Sequence, residues 1–239
     1  METDLNRRAE ALIREGRLDA ARVLLKGAIQ RMRAGWKRER EDGKRLEITF
    51  WGSAEFLAYL EHHPERSVTF VDGSFSKAWY LLAVIAVNER RLEDALLALD
   101  CGLELEDHPE LWNERGYVLA EQKRHEEALA CRVRAASTWD WAHKPYTAPA
   151  LRGQDVPLID LERLNEAEDA LRRSLEVQPD SLTARHEPQY IADLRRKRRD
   201  FPWFHSVVNP PKDPLTLRLL ALVEGLPSLP GRQTVGAEN

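Results

Sequence analysis

Cysteine and methionine are both scarce in this chain of 239 residues, at two copies each. Cys101 and Cys131 fall inside helical patterns, so no disulfide framework is expected and the thiols read as buried groups in a reducing compartment. Long apolar runs are missing too, and nothing approaches the roughly 20 residues that a membrane-spanning helix needs. Met1 to Glu10 are charged, so we expect no signal peptide and no anchor, and a cytoplasmic chain. Nor is there an excess of either charge. With 36 basic against 40 acidic residues the net charge is -4, which excludes a global field drawing the chain to nucleic acid or an anionic membrane.

Motifs that carry chemistry are absent as well. The sequence holds no glycine-rich phosphate loop, no His-Glu-x-x-His, no Gly-x-Ser-x-Gly and no Cys-x-x-Cys. His62 and His63 beside Glu61 and Glu65 suggest a metal at first sight, but adjacent helical residues point about 100° apart and do not share one ion easily. We therefore assign no catalytic residue, no metal and no cofactor.

What is present is a repeat. Trp79 and Trp112, Ala95 and Ala128, and Gly102 and Ala135 are each 33 residues apart. Within each unit apolar residues recur at steps of three and four on either side of a short polar break, which reads as two amphipathic helices in a hairpin. In the first of these units the helices are expected over 77–89 and 92–105, with Ala83, Ala95 and Gly102 where the pair approaches closely. Leu164, Ala167, Ala170, Leu171 and Leu175, closed by Pro179 and Asp180, mark a further unit. Another begins the chain with Leu5, Ala9, Leu12, Gly16, Ala21, Leu25 and Ala28.

These small and large apolar residues at matching places resemble the tetratricopeptide repeat. The resemblance implies an all-α superhelical solenoid over residues 1–200, with units near 2–35, 76–108, 109–142 and 148–181 and an atypical insert at 36–75. A capping helix is expected at 182–199, and residues 201–239 form a Pro-rich tail with a short apolar helix at 214–224. Arg115 and Arg132 stand where the family is apolar, and Pro157 falls within a first helix, which is expected to start late or kink. Inside the insert, Ser53 to His62 reads as a capped helix with Phe56, Leu57 and Leu60 on one face. Residues 66–76 read as a loop packed on the helices despite a β-like stretch at Val68 to Val71.

In that family the first helix of each unit lines a concave groove for a peptide or helix of a partner. Its groove positions fall here on Lys77, Tyr80, Val84, Val87 and Asn88, then on Glu110, Asn113, Glu114, Tyr117 and Glu121. The later unit contributes Arg152, Val156 and Asp160. The resemblance further implies that the lysine and asparagine clamp of the chaperone-binding subgroup is missing, since Tyr80 and Val84 hold its places. The function expected is a non-catalytic scaffold or adaptor whose protein or peptide ligand is amphipathic and basic on one side. The alternatives are a regulatory subunit or enzyme with its site in the insert or tail, nucleic-acid binding through Arg195 to Arg199, and a homodimer made through the C-terminal helix. Trp139 and Trp141 read equally as packing or as an aromatic binding patch.

Overall fold

Four helix hairpins close in the same way, and the closure explains why the sequence repeats. In a computed structural model that describes residues 3–42, 45–71, 74–137, 146–180, 191–193 and 195–196, the first helix of each hairpin ends on a residue with positive φ. These residues are Gly16, Arg90, Lys123 and Glu162, at φ between 61° and 74°. Each donates its N–H to the carbonyl three residues back, and the arginine that follows it donates to the carbonyl five back. Arg91 reaches Ala86 at 2.9 Å, Arg124 reaches Leu119 at 2.9 Å and Arg163 reaches Leu158 at 2.8 Å. This double bond satisfies the orphan carbonyls of the helix end and turns the chain by a fixed amount. Five residues past each left-handed position stands an alanine, Ala21, Ala95, Ala128 or Ala167, with no exposed surface. Only a methyl group fits where the second helix crosses the first.

The hairpins are α1 (Thr3–Arg14) with α2 (Leu18–Gln30), α4 (Phe75–Asn88) with α5 (Leu92–Leu105), and α6 (Pro109–Glu121) with α7 (His125–Ser137). In the fourth, α8 (Ala148–Arg152) and α9 (Asp155–Asp160) together form the first helix and α10 (Leu164–Val177) the second. The first helix is indeed interrupted, but the break lies at Gly153 and Gln154 rather than at proline. Pro157 sits in the first turn of α9, where its missing N–H has no intrahelical partner to lose. Hydrophobic side chains join the hairpins into a continuous core. Leu25, Leu81 and Ile85 fill it between the first two units, and Leu99, Leu111 and Val118 between the next two. At Gly102 a Cβ would lie 2.8 Å from Leu111, so α5 and α6 touch through a bare backbone.

The insert differs from expectation. Residues 66–76 are not simply a loop, because Val68–Val71 forms strand β3 of a three-stranded sheet with β1 (Glu39–Asp42) and β2 (Arg45–Thr49). β1 pairs antiparallel with β2, and β2 pairs parallel with β3, Ile48 opposite Phe70. Helix α3 (Ser53–His62) makes the crossover that a parallel pair requires. Alternate residues Leu46, Ile48 and Phe50 turn to one face, and Phe50 meets Phe56, Tyr59 and Phe70 with ring centroids 5.4 to 6.0 Å apart. The inner face of α3 is set by Glu55 and Tyr59, whereas Leu57 is 64% exposed. The apolar face drawn through Phe56, Leu57 and Leu60 is therefore rotated from the observed one.

Residues 1–188 form one unit and 189–239 another, of which 191–193 and 195–196 are described and helical. Most of the capping helix and of the Arg195 to Arg199 run, the whole tail helix at 214–224, and Trp139 and Trp141 lie outside the described residues. Among the described residues no helix is long and apolar enough to cross a membrane, and the two cysteines are free.

Candidate functional site

The first helices α1, α4 and α6 present one common face, and its chemistry is acidic and aromatic. Burial pushes the phenol of Tyr80 in α4 well above its ordinary range, and the fields of Glu114, Glu110 and Glu10 add to the shift. Glu110 and Glu114 are one turn apart on α6. Burial raises both carboxyls above their usual value, and repulsion from Glu114 raises Glu110 further. Arg132 is the cation that faces them. It rises from α7 with its stem against Gly116, where a Cβ would sit 3.1 Å from it, and its guanidinium lies against Gly153, where a Cβ would intrude to 2.7 Å. There it hydrogen-bonds Asn113 and faces Glu114, Asp155 and Glu110. The departure from the family's apolar pattern at Arg132 and the break between α8 and α9 are thus one feature, a guanidinium threaded between two units.

The other positions inferred from the family divide between this face and internal packing. Tyr117 is 39% exposed. Glu121 is exposed and reaches Arg90 at 3.3 Å, and Asn88 donates to the carbonyl of Val84 at 2.8 Å. Val87 packs on the core and Val84 is half-buried. Arg152 is half-buried at the end of α8, Val156 is exposed, and Asp160 faces His125 at 3.3 Å. Lys77 is engaged within the chain, pairing with Glu10 at 2.8 Å and donating to the carbonyl of Trp51 at 3.0 Å.

Trp51 brings the insert to the rim of this face. Its indole stacks on His108 at 3.6 Å and packs on Tyr80 at 5.1 Å, and its N–H reaches Ser76 and Glu106 at 3.0 Å each. Behind it lies a buried polar knot that the sequence did not reveal. Arg38 approaches Glu106 at 2.9 Å and Glu55 at 3.6 Å, and Glu55 accepts the backbone N–H of Trp51 at 2.9 Å. Burial outweighs Arg38 and raises the Glu55 carboxyl to about 7. His108 is driven by burial down to about 3. It is therefore neutral, and its 3.6 Å contact with Glu55 is no ion pair.

Glu55, Glu106 and His108 bring one potential ligand atom each within 4.8 Å of one another, but the set does not fit a metal. Arg38 already supplies a cation to both carboxylates. The His108 Nδ1 accepts the N–H of Glu110 at 3.1 Å as a helix cap, which puts the imidazole proton on Nε2, the nitrogen that points at Glu55. The knot fastens the insert to the start of α4 and α6.

No family model matches the chain, and no curated protein does. Among solved structures it is similar to PilF of Pseudomonas aeruginosa, at TM-score 0.56 and 17% identity over 93% of this chain and 84% of that one. BtubC from P. vanneervenii is matched at TM-score 0.54 and 15% identity, covering 97% and 84%. MamA from Desulfovibrio magneticus RS-1 is matched at TM-score 0.51 and 14% identity, covering 92% and 96%. Such identities speak for fold alone. Joined to four helix hairpins with the same closing turn and the same buried alanine, they give this chain the tetratricopeptide-repeat fold.

Proposed function

We propose that this protein is a non-catalytic scaffold or adaptor that holds a basic, amphipathic segment of a partner protein against the face formed by α1, α4 and α6. The observation that carries the reading is the pair Glu110 and Glu114. Both carboxyls are partly withdrawn from water at a raised pKa, and Arg132 serves them together with Asp155. Desolvated carboxylates in such numbers weaken the free fold. A lysine or arginine from a partner would offset that cost with charge-assisted hydrogen bonds. Tyr80, Tyr117 and Val84 supply the apolar half of the contact, and Glu121 offers an acidic rim. Aromatic rings flanked by carboxylates suit a ligand with apolar and cationic residues on adjacent turns or alternate positions.

A random peptide library displayed against the full chain tests this directly. Enriched sequences should carry lysine or arginine beside aromatic or aliphatic residues, and should be depleted when selection is repeated on Glu110→Gln/Glu114→Gln. Acidic winners, or the same winners on both proteins, would overturn the reading.

A further inference from the structure

Each hairpin leaves a groove between its two helices, and the second helix of the hairpin before it lies over that groove. α2 covers the α4/α5 groove, where Arg22 and Lys26 face Leu82, Ala86 and Ala98 and Arg22 pairs with Glu89. α5 covers the α6/α7 groove in the same way. Leu96 packs on Leu119 and Cys131, and Asp100 pairs with Arg115 at 2.9 Å. The bed beneath each covering helix is apolar and shut, with Ala86, Ala98, Leu119 and Cys131 all at 7% exposure or less. Ala86 and Ala98 stand four places before and eight after the left-handed Arg90, and Leu119 and Cys131 stand likewise about Lys123.

The same places about Gly16 hold Leu12 and Leu24, which with Val23 line a groove of about 680 Å³ between α1 and α2. Both leucines are half-buried, Val23 is 75% exposed, and no helix among the described residues lies over them. A repeat array that ends in solvent carries a polar outer face. This face keeps the apolar bed of a covered groove instead, and its rim states which helix fits. Glu15 stands one place before Gly16, as Glu89, the partner of Arg22, stands before Arg90. Arg8 stands eight before Gly16, as Arg115, the partner of Asp100, stands before Lys123. Arg22 and Asp100 themselves occupy places four residues apart on their covering helices, six and ten after the turn, with the fully buried Leu25 or Leu99 between. Arg8 is exposed with no ion pair among the described residues, and Glu15 meets only the exposed Arg17 at 3.4 Å.

We propose that the α1/α2 groove is a second interaction surface, which docks an amphipathic α-helix of a partner protein in the way that α2 and α5 stack within this chain. The helix it fits carries a basic residue for Glu15, a leucine three places on for the bed of Leu12 and Leu24, and an acidic residue four places on for Arg8. A second helix of another helical-repeat protein has that form, so the contact joins two arrays end to end. Burying the leucines supplies the attraction, and the two ion pairs set the direction of the helix. The inference does not depend on what the α1, α4 and α6 face binds.

Two synthetic peptides, each cross-linked into a helix because so short a helix is marginal alone, test this with the full chain. One copies residues 17–31 with Lys26→Asp, so that Arg22, Leu25 and the new acid have the order the groove asks for. The other copies the same residues with Arg22→Glu, which reverses the two charges. The chain's own α2 is held on α4 by its covalent link, so the peptides do not displace it. In titration calorimetry the first should bind and the second should bind roughly tenfold more weakly, since two surface ion pairs become two like-charge contacts. Arg8→Glu/Glu15→Arg, at two exposed positions, should invert the preference and leave melting unchanged. Sedimentation of the chain alone should show no dimer that depends on Val23. No binding of the first peptide at about 1 mM, equal affinity for both, or a preference that the charge reversal leaves unmoved would overturn the proposal. So would a dimer that Val23→Glu dissolves, because a second copy would then occupy the groove.

Discussion

Replacing Arg132 by methionine keeps most of the aliphatic stem against Gly116 and removes the charge that faces Glu110, Glu114 and Asp155. Removing one partner of a buried charge cluster costs about 3 to 5 kcal/mol. The low end applies here because the group is partly exposed, so we expect about 3 kcal/mol. For a domain of this size each kcal/mol moves Tm by about 2 to 4 °C, which makes the expected loss about 6 to 12 °C at pH 7. The loss should depend on pH. Glu110 and Glu114 have folded pKa values raised above the unfolded 4.5, so the folded state holds their protons more tightly. Their protonation favours folding at low pH, and that benefit is lost as pH rises through the folded values. Without Arg132 the values rise further and the loss at neutral pH grows. The deficit of Arg132→Met should therefore shrink as pH is lowered toward 4.5, and Glu114→Gln added to it should recover part of the loss at pH 7. A Tm change below about 2 °C, or a deficit flat in pH, would refute the electrostatic role given to Arg132.

Three further outcomes follow from the repeat geometry and the proposed binding face. Ala128→Leu should overpack the crossing of α6 and α7 and destabilise by about 1 to 3 kcal/mol in denaturant titrations, because Ala128 has no exposed surface; an unchanged midpoint would mean the hairpin register is wrong. Lys123→Gly should stabilise by up to about 1 kcal/mol, since a side chain in left-handed backbone costs roughly 1 to 2 kcal/mol and glycine returns part of that as lost chain entropy. A lower midpoint there would show that the Lys123 side chain holds the turn. Tyr80→Ala/Tyr117→Ala should abolish binding of a selected peptide in titration calorimetry with a much smaller change in melting; lost stability with binding retained would place the rings in the core.

The hairpins were legible because their determinants are local. A left-handed turn, an arginine after it and an alanine five residues on lie within one short segment, and the 33-residue period exposes them at once. The sheet was not, because β2 and β3 pair across 22 residues and β1, though it lies close to β2 in sequence, is four charged residues with no alternation to betray it. Leu46, Ile48 and Phe50, alternating ahead of Val68 and Phe70, were the available signal. Glu55 reads from sequence as the polar side of α3, and nothing local announces that Arg38, Glu106 and His108 converge on it from other elements. At the proposed binding face the family pattern marked Tyr80, Glu110 and Glu114, which lie near one another, but also Lys77, which is engaged by Glu10 and by the backbone of an insert that the repeat pattern does not contain. Arg132 looked like a defect in the pattern because its space is made by Gly153 in the next unit.

The central claim is that a cationic segment is held by carboxylates on the first helices, and calorimetry with one library-selected peptide tests it most directly. Its affinity is to be compared for the unaltered chain, for Glu110→Gln/Glu114→Gln, and for Glu93→Gln/Glu126→Gln, which removes the same charge from second helices where both side chains are exposed. Hydrogen bonds to charged groups contribute about 1.5 to 3 kcal/mol each, so the first variant should bind at least about tenfold more weakly and the second should match the unaltered chain. Equal affinities for all three, or an equal loss in both variants, would contradict the account.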